Sequence, residues 1–87
     1  MSEDHKPDNA GELKRIEAAG GFVEEGRVRG ILSLSRALGD LEYKLNRKVG
    51  VEAQMITCVP EIKKIDMTAD DKFLIIACDG IWDCLSS

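Results

Sequence analysis

Aromatic side chains are scarce: one Trp, one Tyr and two Phe make up 5% of the 87 residues. Any core is therefore mainly aliphatic. Leu, Ile, Val and Phe together reach about a quarter of the chain, too apolar for an intrinsically disordered segment. Histidine occurs once, at His5, and cysteine three times, at Cys58, Cys78 and Cys84. An odd, widely spaced set without a C-x-x-C pair excludes a disulfide framework and gives no zinc-ligand spacing. The longest apolar run, Phe73–Cys78, is far shorter than the roughly 18 residues that span a bilayer. No excess of positive charge exists: 12 Lys and Arg face 16 Asp and Glu, a net charge of −4. The deficit is divided evenly between the two halves, so no basic face is expected. Nucleic acid and membrane surfaces are thus not expected partners. The charged start, Met1–Lys6, leads into no apolar segment of the kind a secretory signal needs, and the reduced thiols point to the cytoplasm or nucleus. The length bounds the chain to one small domain or a piece of a larger one.

Local patterns divide the chain as follows. Leu13, Ile16 and Ala19 recur at helical spacing over Ala10–Ala19, with Asn9 and Glu12 spaced as a capping box and Gly20 as the stop. Phe22–Val28 reads as two short strands turning at Glu25-Gly26, and Ile31–Ser35 alternates as a half-buried strand would. Arg36–Asp40 reads as a turn or helical bend, and Leu41–Ala53, with neither period, as an exposed loop. Met55–Ile65 is expected to be extended, broken at Pro60, with Ile56 and Cys58 on one face. Thr68–Asp71 is a turn. Lys72–Cys78, continuous, apolar and β-branched, suits a central strand buried on both faces. Ile81, Trp82 and Leu85 then suit a helix running to Ser87 and packing back on the sheet. The order predicts an α+β fold with mostly antiparallel pairing.

Three places bear chemistry. Asp79 stands where the apolar run gives way to glycine, and Asp83 follows four residues on, which on a helix puts both carboxylates on one face. All-oxygen ligands of this kind favour Mg²⁺ or Mn²⁺ over zinc. From spacing alone the same residues are more commonly a cap and an acidic helix start. In Ser35–Asp40, Arg36 suits either a phosphate or a local ion pair with Asp40. Asp4-His5 reads by itself as a solvated loop. No nucleotide-cradling glycine loop and no nucleophile elbow is present.

Taken together, Asp4-His5-Lys6-Pro7, Arg15–Gly21, Arg27–Gly30, Ser35–Asp40 and Phe73–Asp83 resemble, in order and spacing, the metal-dependent protein Ser/Thr phosphatases of the PP2C (PPM) family. The resemblance implies an α-β-β-α sandwich of which the chain is a partial copy. It implies a Mg²⁺ or Mn²⁺ pair whose bound water attacks phosphoserine or phosphothreonine, and a phosphoprotein as substrate. Asp79 matches an aspartate that ligates the metal pair. Asp83 and Asp4 match aspartates that join it around an additional metal in some members. No separate catalytic side chain is assigned. Residues 22–53 match the region bearing the flap beside the active site, residues 72–83 the central strand and metal corner, and Arg36 and Asp40 are implied to be structural. Ser33 replaces a small apolar residue. The family's Glu-Asp pair, Asp-Gly-His-Gly string, phosphate-binding Arg and last metal-ligating Asp have no counterpart within residues 1–87. The expectation is the middle to C-terminal part of a phosphatase catalytic domain, inactive by itself. The alternative expectation is a non-catalytic, phosphatase-like interaction module that self-associates through an exposed sheet face.

Overall fold

A computed structural model of the chain describes residues 2–85. Helix α1, Ala10–Ala18, forms where the 3.6-residue pattern predicts it and buries Ile16. Its end is a Schellman turn. Gly20 takes φ +91°, its N–H donates to the Glu17 carbonyl at 3.0 Å, and the Gly21 N–H donates to the Ile16 carbonyl at 2.9 Å. A side chain at Gly20 would be strained in that left-handed conformation, which accounts for glycine at this stop. The expected capping box is absent, because Asn9 makes no side-chain cap bond. Its amide donates instead to the Asp4 carbonyl at 2.7 Å, while Glu12 is drawn to two guanidinium groups.

Strands β1, Val23–Glu24, and β2, Arg27–Val28, pair antiparallel with Val23 opposite Val28 and Glu24 opposite Arg27. Glu25 and Gly26 both take positive φ, 52° and 72°. That is the backbone of a type I′ turn, whose twist matches that of the two strands it joins. The hairpin expected around Glu25-Gly26 is therefore present. The strand expected over Ile31–Ser35 is not. A second positive-φ pair, Arg29 and Gly30, folds the chain back so that only Leu32 forms a bridge, to Val28. Ile31 and Leu34 are exposed, and Ser35 is buried with its hydroxyl donating to the His5 carbonyl.

The expected loop over Leu41–Ala53 holds two short 3-10 turns, Leu41–Tyr43 and Val51–Ala53. It is anchored from the inside. Tyr43 is buried with the Arg29 guanidinium 5.1 Å from its ring centroid. The buried Gln54 amide donates to the Asn46 and Val49 carbonyls at 2.8 and 3.1 Å, and its oxygen accepts from the Asn46 N–H. Ile16, Ala19, Val28, Tyr43, Met55 and Ile56 make one core, flanked by Val23, Leu32 and Ala37. The face expected to hold Ile56 and Cys58 divides, with Ile56 fully buried and Cys58 exposed.

Beyond Thr57 the chain leaves this core. The Thr68–Asp71 turn forms as expected, closed by the Asp71 N–H on the Thr68 carbonyl at 3.1 Å. Lys72–Cys78, expected to be a central strand, is not a strand in the described structure and lies exposed. Phe73 is 82% and Ile76 87% exposed. A central strand needs a neighbour on each side and a layer on each face. The described residues supply neither here, and local sequence cannot create them. Helix α2, Asp79–Trp82, follows; its expected packing on a sheet is absent, since Ile81 and Leu85 are exposed. The helix expected to run to Ser87 stops at Trp82, with Asp83–Leu85 forming a turn and bend, and Ser86 and Ser87 lie outside the described residues. The radius of gyration, 15.3 Å, exceeds the roughly 12 Å of a compact chain of this length. The residues after Thr57 account for the excess, since none of them belongs to the core. The observed class is α+β with antiparallel pairing.

Candidate functional site: a buried ion cluster and an acidic corner

Two charged constellations result. The first lies in the core. Glu12 is buried on α1 and accepts hydrogen bonds from Arg15 one turn on and from Arg36, whose Nε lies 2.9 Å from Glu12 Oε1. Arg15 also donates to the Gln54 carbonyl at 3.1 Å and to the Ser35 carbonyl at 2.6 Å. Arg36 reaches the Val59 carbonyl at 3.3 Å. The Ser35 hydroxyl donates to the His5 carbonyl. The Arg36 backbone bridges Thr57 in parallel, with the Ala37 N–H on the Thr57 carbonyl at 3.0 Å. One carboxylate and two guanidinium forks thus join α1 to residues 35–36 and 54–59. The local Arg36–Asp40 ion pair is not formed. Asp40 is exposed at the start of a 3-10 turn, and the Arg36 guanidinium is committed to Glu12, which leaves it unsuited to hold a phosphate.

Burial pushes the Glu12 carboxyl up, but hydrogen bonds from Arg36 and then Arg15, with both positive charges, outweigh it and hold the group below its ordinary 4.5. A carboxylate depressed on folding contributes stability above its unfolded pKa and loses it as pH falls through the folded value. The melting temperature is therefore expected to fall as the pH drops below about 4.5, the ordinary value of Glu12. Glu12→Gln should flatten that part of the profile. A thermal melt series of the two proteins checks this, and parallel profiles would contradict it.

The second constellation is the acidic corner. Asp79 opens α2, and the Asp83 N–H donates to the Asp79 carbonyl at 2.7 Å, so the two carboxylates lie on one face one turn apart, as their spacing predicts. Both are exposed. The Trp82 indole donates back to the Ala77 carbonyl at 3.1 Å and pins the start of the helix to the preceding segment. Asp4 is exposed on the N-terminal segment. That segment is fastened by His5 Nε2 to Glu61 at 3.1 Å and by Glu3 to Lys63 at 3.4 Å. A groove of about 440 Å³ is lined by Glu3, His5, Glu61, Ile76, Ala77 and Trp82. Asp4 is flanked by two of these residues, and Asp79 follows two positions after Ala77. Their oxygen donors suit a hard divalent cation. Among the described residues, however, no three His, Cys, Asp or Glu side chains come close enough together to hold one, so the geometry does not amount to a metal site. No helix of the described residues is long and apolar enough to cross a membrane.

Sequence reasoning missed the roles of Glu12, Arg15 and Gln54. Glu12 and Arg15 sit three apart on a helix, which signals a local pair, but nothing in their spacing points to Arg36.

Comparison with known proteins supplies what this geometry cannot. The family model "Protein phosphatase 2C" matches residues 1–87. A "Probable protein phosphatase 2C 2" of Paramecium tetraurelia is 56% identical over 86 residues, 99% of this chain and 29% of the relative. A "Probable protein phosphatase 2C 21" of Arabidopsis thaliana is 54% identical over 87 residues, 100% of this chain and 24% of the relative. Among solved structures, a phosphatase from a pathogenic strain of Toxoplasma gondii superposes with a TM-score of 0.69 at 47% identity, over 70% of this chain and 19% of that one. The chain spans about a quarter of the length of these curated relatives.

Proposed function

Because the chain belongs to the protein phosphatase 2C family along its whole length, we propose that it forms the middle to C-terminal part of a Mg²⁺- or Mn²⁺-dependent protein serine/threonine phosphatase domain. The substrates of such a domain are phosphoproteins, and its full architecture is the α-β-β-α sandwich. In this reading residues 22–53 carry the flap beside the active site, and residues 72–83 carry the metal corner. Asp79 is a ligand of the metal pair, and Asp83 and Asp4 are accessory ligands. The observation that carries the reading is the 56% identity over 99% of the chain. The helical turn that aligns Asp79 with Asp83 supports it. These residues do not by themselves complete a metal site, so the isolated chain is expected to be inactive. The free thiols of Cys58, Cys78 and Cys84 suit the reducing cytoplasm or nucleus.

The test has two arms. The isolated chain is assayed on a phosphothreonine peptide with Mn²⁺, where no turnover is expected and Asp79-dependent turnover would refute the incomplete site. The same 87 residues are then exchanged for the matching stretch of the Paramecium relative. That chimera should be active, and Asp79→Asn should lower its activity and its Mn²⁺ affinity by at least about 10- to 100-fold, the loss that removing even a group supporting a metal ligand brings. An unchanged Mn²⁺ affinity would refute the metal assignment.

A further inference from the structure

Three consecutive backbone carbonyls of the N-terminal segment are each held by a donor from further along the chain. The Asp4 carbonyl accepts from the Asn9 side-chain amide at 2.7 Å, the His5 carbonyl from the Ser35 hydroxyl, and the Lys6 carbonyl from the Asn9 backbone N–H at 3.0 Å. Pro7, next in the chain, is fully buried. Each peptide unit is planar, so fixing the direction of its carbonyl fixes the whole plane, and the planes on both sides of His5 are set in this way. The Asp4 backbone is set with them. Ser35 is itself immobilised, being fully buried with its carbonyl accepting from Arg15 at 2.6 Å, and Arg15 in turn binds Glu12. The buried ion cluster thus extends through Ser35 to the residue beside Asp4. The Asp4 carboxylate enters none of the ion pairs of the described residues.

We propose that Asn9 and Ser35 are positioning residues for Asp4, holding its backbone so that its carboxylate is presented to the accessory cation in one orientation. The proposal rests on the reading of Asp4 as an accessory ligand. Asn9 and Ser35 act through the Asp4–His5 backbone, with no contact to the ion. A carboxylate on a loose segment loses conformational freedom whenever it binds, whereas one ordered on folding binds without that loss. The two donors are otherwise hard to account for. Asn9 stands at the N-cap of α1 yet makes no cap bond, because its amide is used on the Asp4 carbonyl. A hydroxyl buried as completely as that of Ser35 needs an acceptor, and packing alone would be served by alanine.

Calorimetric Mn²⁺ titration of the chimera tests it, together with backbone amide relaxation of the metal-free 87-residue chain. Asn9→Ser keeps an uncharged N-cap former of equal rank but is too short to reach the Asp4 carbonyl, and Ser35→Ala removes the hydroxyl. Each should weaken the weakest Mn²⁺ binding step about tenfold and leave the tighter steps unchanged. Asp4→Asn should weaken the same step at least as much, and adding Asn9→Ser to it should weaken it no further. In the metal-free chain Asp4 and His5 should become more mobile in both variants while α1 is unchanged. Asn9 lies outside the core, so Asn9→Ser decides the matter even if Ser35→Ala fails to fold. If Asp4→Asn weakens the step and Asn9→Ser does not, the proposal is overturned and Asp4 remains a ligand. If Asp4→Asn changes no step, the ligand assignment falls and the proposal falls with it. Unchanged mobility of Asp4 in Asn9→Ser overturns the proposal too, and so does equal weakening of every binding step, which marks a loss of fold instead of position.

Discussion

Glu12→Ala is expected to lower the urea midpoint of the chain more than any other single substitution in the charged cluster. The substitution removes the single carboxylate that neutralises Arg15 and Arg36 and leaves two guanidinium groups, partly withdrawn from water, facing each other without it. Breaking a buried ion cluster on one side costs roughly 3–5 kcal/mol. A small chain has about 0.05–0.15 kcal/mol of stability per residue, so this loss consumes much of what is there. Arg36→Ala alone should cost less, because Arg15 remains as a partner for the carboxylate. The double variant should be more stable than the sum of the two single losses predicts, since removing one guanidinium relieves part of the repulsion that Glu12→Ala exposes. Urea midpoints of the four proteins give the cycle. Strict additivity, or a loss below about 1 kcal/mol for Glu12→Ala, would show that the cluster is not the clasp between α1 and residues 35–59.

A comparable loss is expected for Ile56→Ala. Ile56 is fully buried beside Ile16 and Val28. Truncating a buried Ile to Ala costs roughly 2–5 kcal/mol, the lost burial and the cavity together. With no second core among the described residues to compensate, the urea midpoint should fall sharply. Leu38→Ala is the contrast. Leu38 is 86% exposed, and its truncation should stay within about 0.5 kcal/mol. Equal effects at the two positions would mean that the core is not the one described.

Ile56 and Leu38 also show where sequence reading stops. Both are aliphatic residues within short irregular stretches, and periodicity does not separate them. Burial is decided by the parallel bridge between Arg36 and Thr57, which turns Ile56 inward. Elements whose hydrogen bonds close within a few residues were legible. The Schellman end of α1, the Glu25-Gly26 turn, the Thr68–Asp71 turn and the alignment of Asp79 with Asp83 each depend on neighbours in the chain. Elements that need distant partners were not. Ile31–Ser35 alternates like a strand, but the Arg29-Gly30 turn leaves only Leu32 in a bridge. Glu12 has the spacing of a capping residue, but the charge of Arg36, 24 positions away, competes more strongly than an exposed backbone N–H.

By itself the amino-acid sequence determined the family, the first helix, the hairpin, and the pairing of two carboxylates on one turn. These rest on residue identity and on interactions within a turn or two, which the chain carries wherever it goes. The tertiary structure alone decided that Glu12, Arg15 and Arg36 form one buried cluster, that Gln54 and Tyr43 anchor the middle loop, and that Lys72–Cys78 stays outside the core. A strand becomes central, and a carboxylate becomes a clasp, only when a second segment arrives to meet it. Residues 35–59 meet α1 and complete the cluster. No strand among the described residues pairs with Lys72–Cys78, so a segment with the composition of a buried strand is left largely exposed.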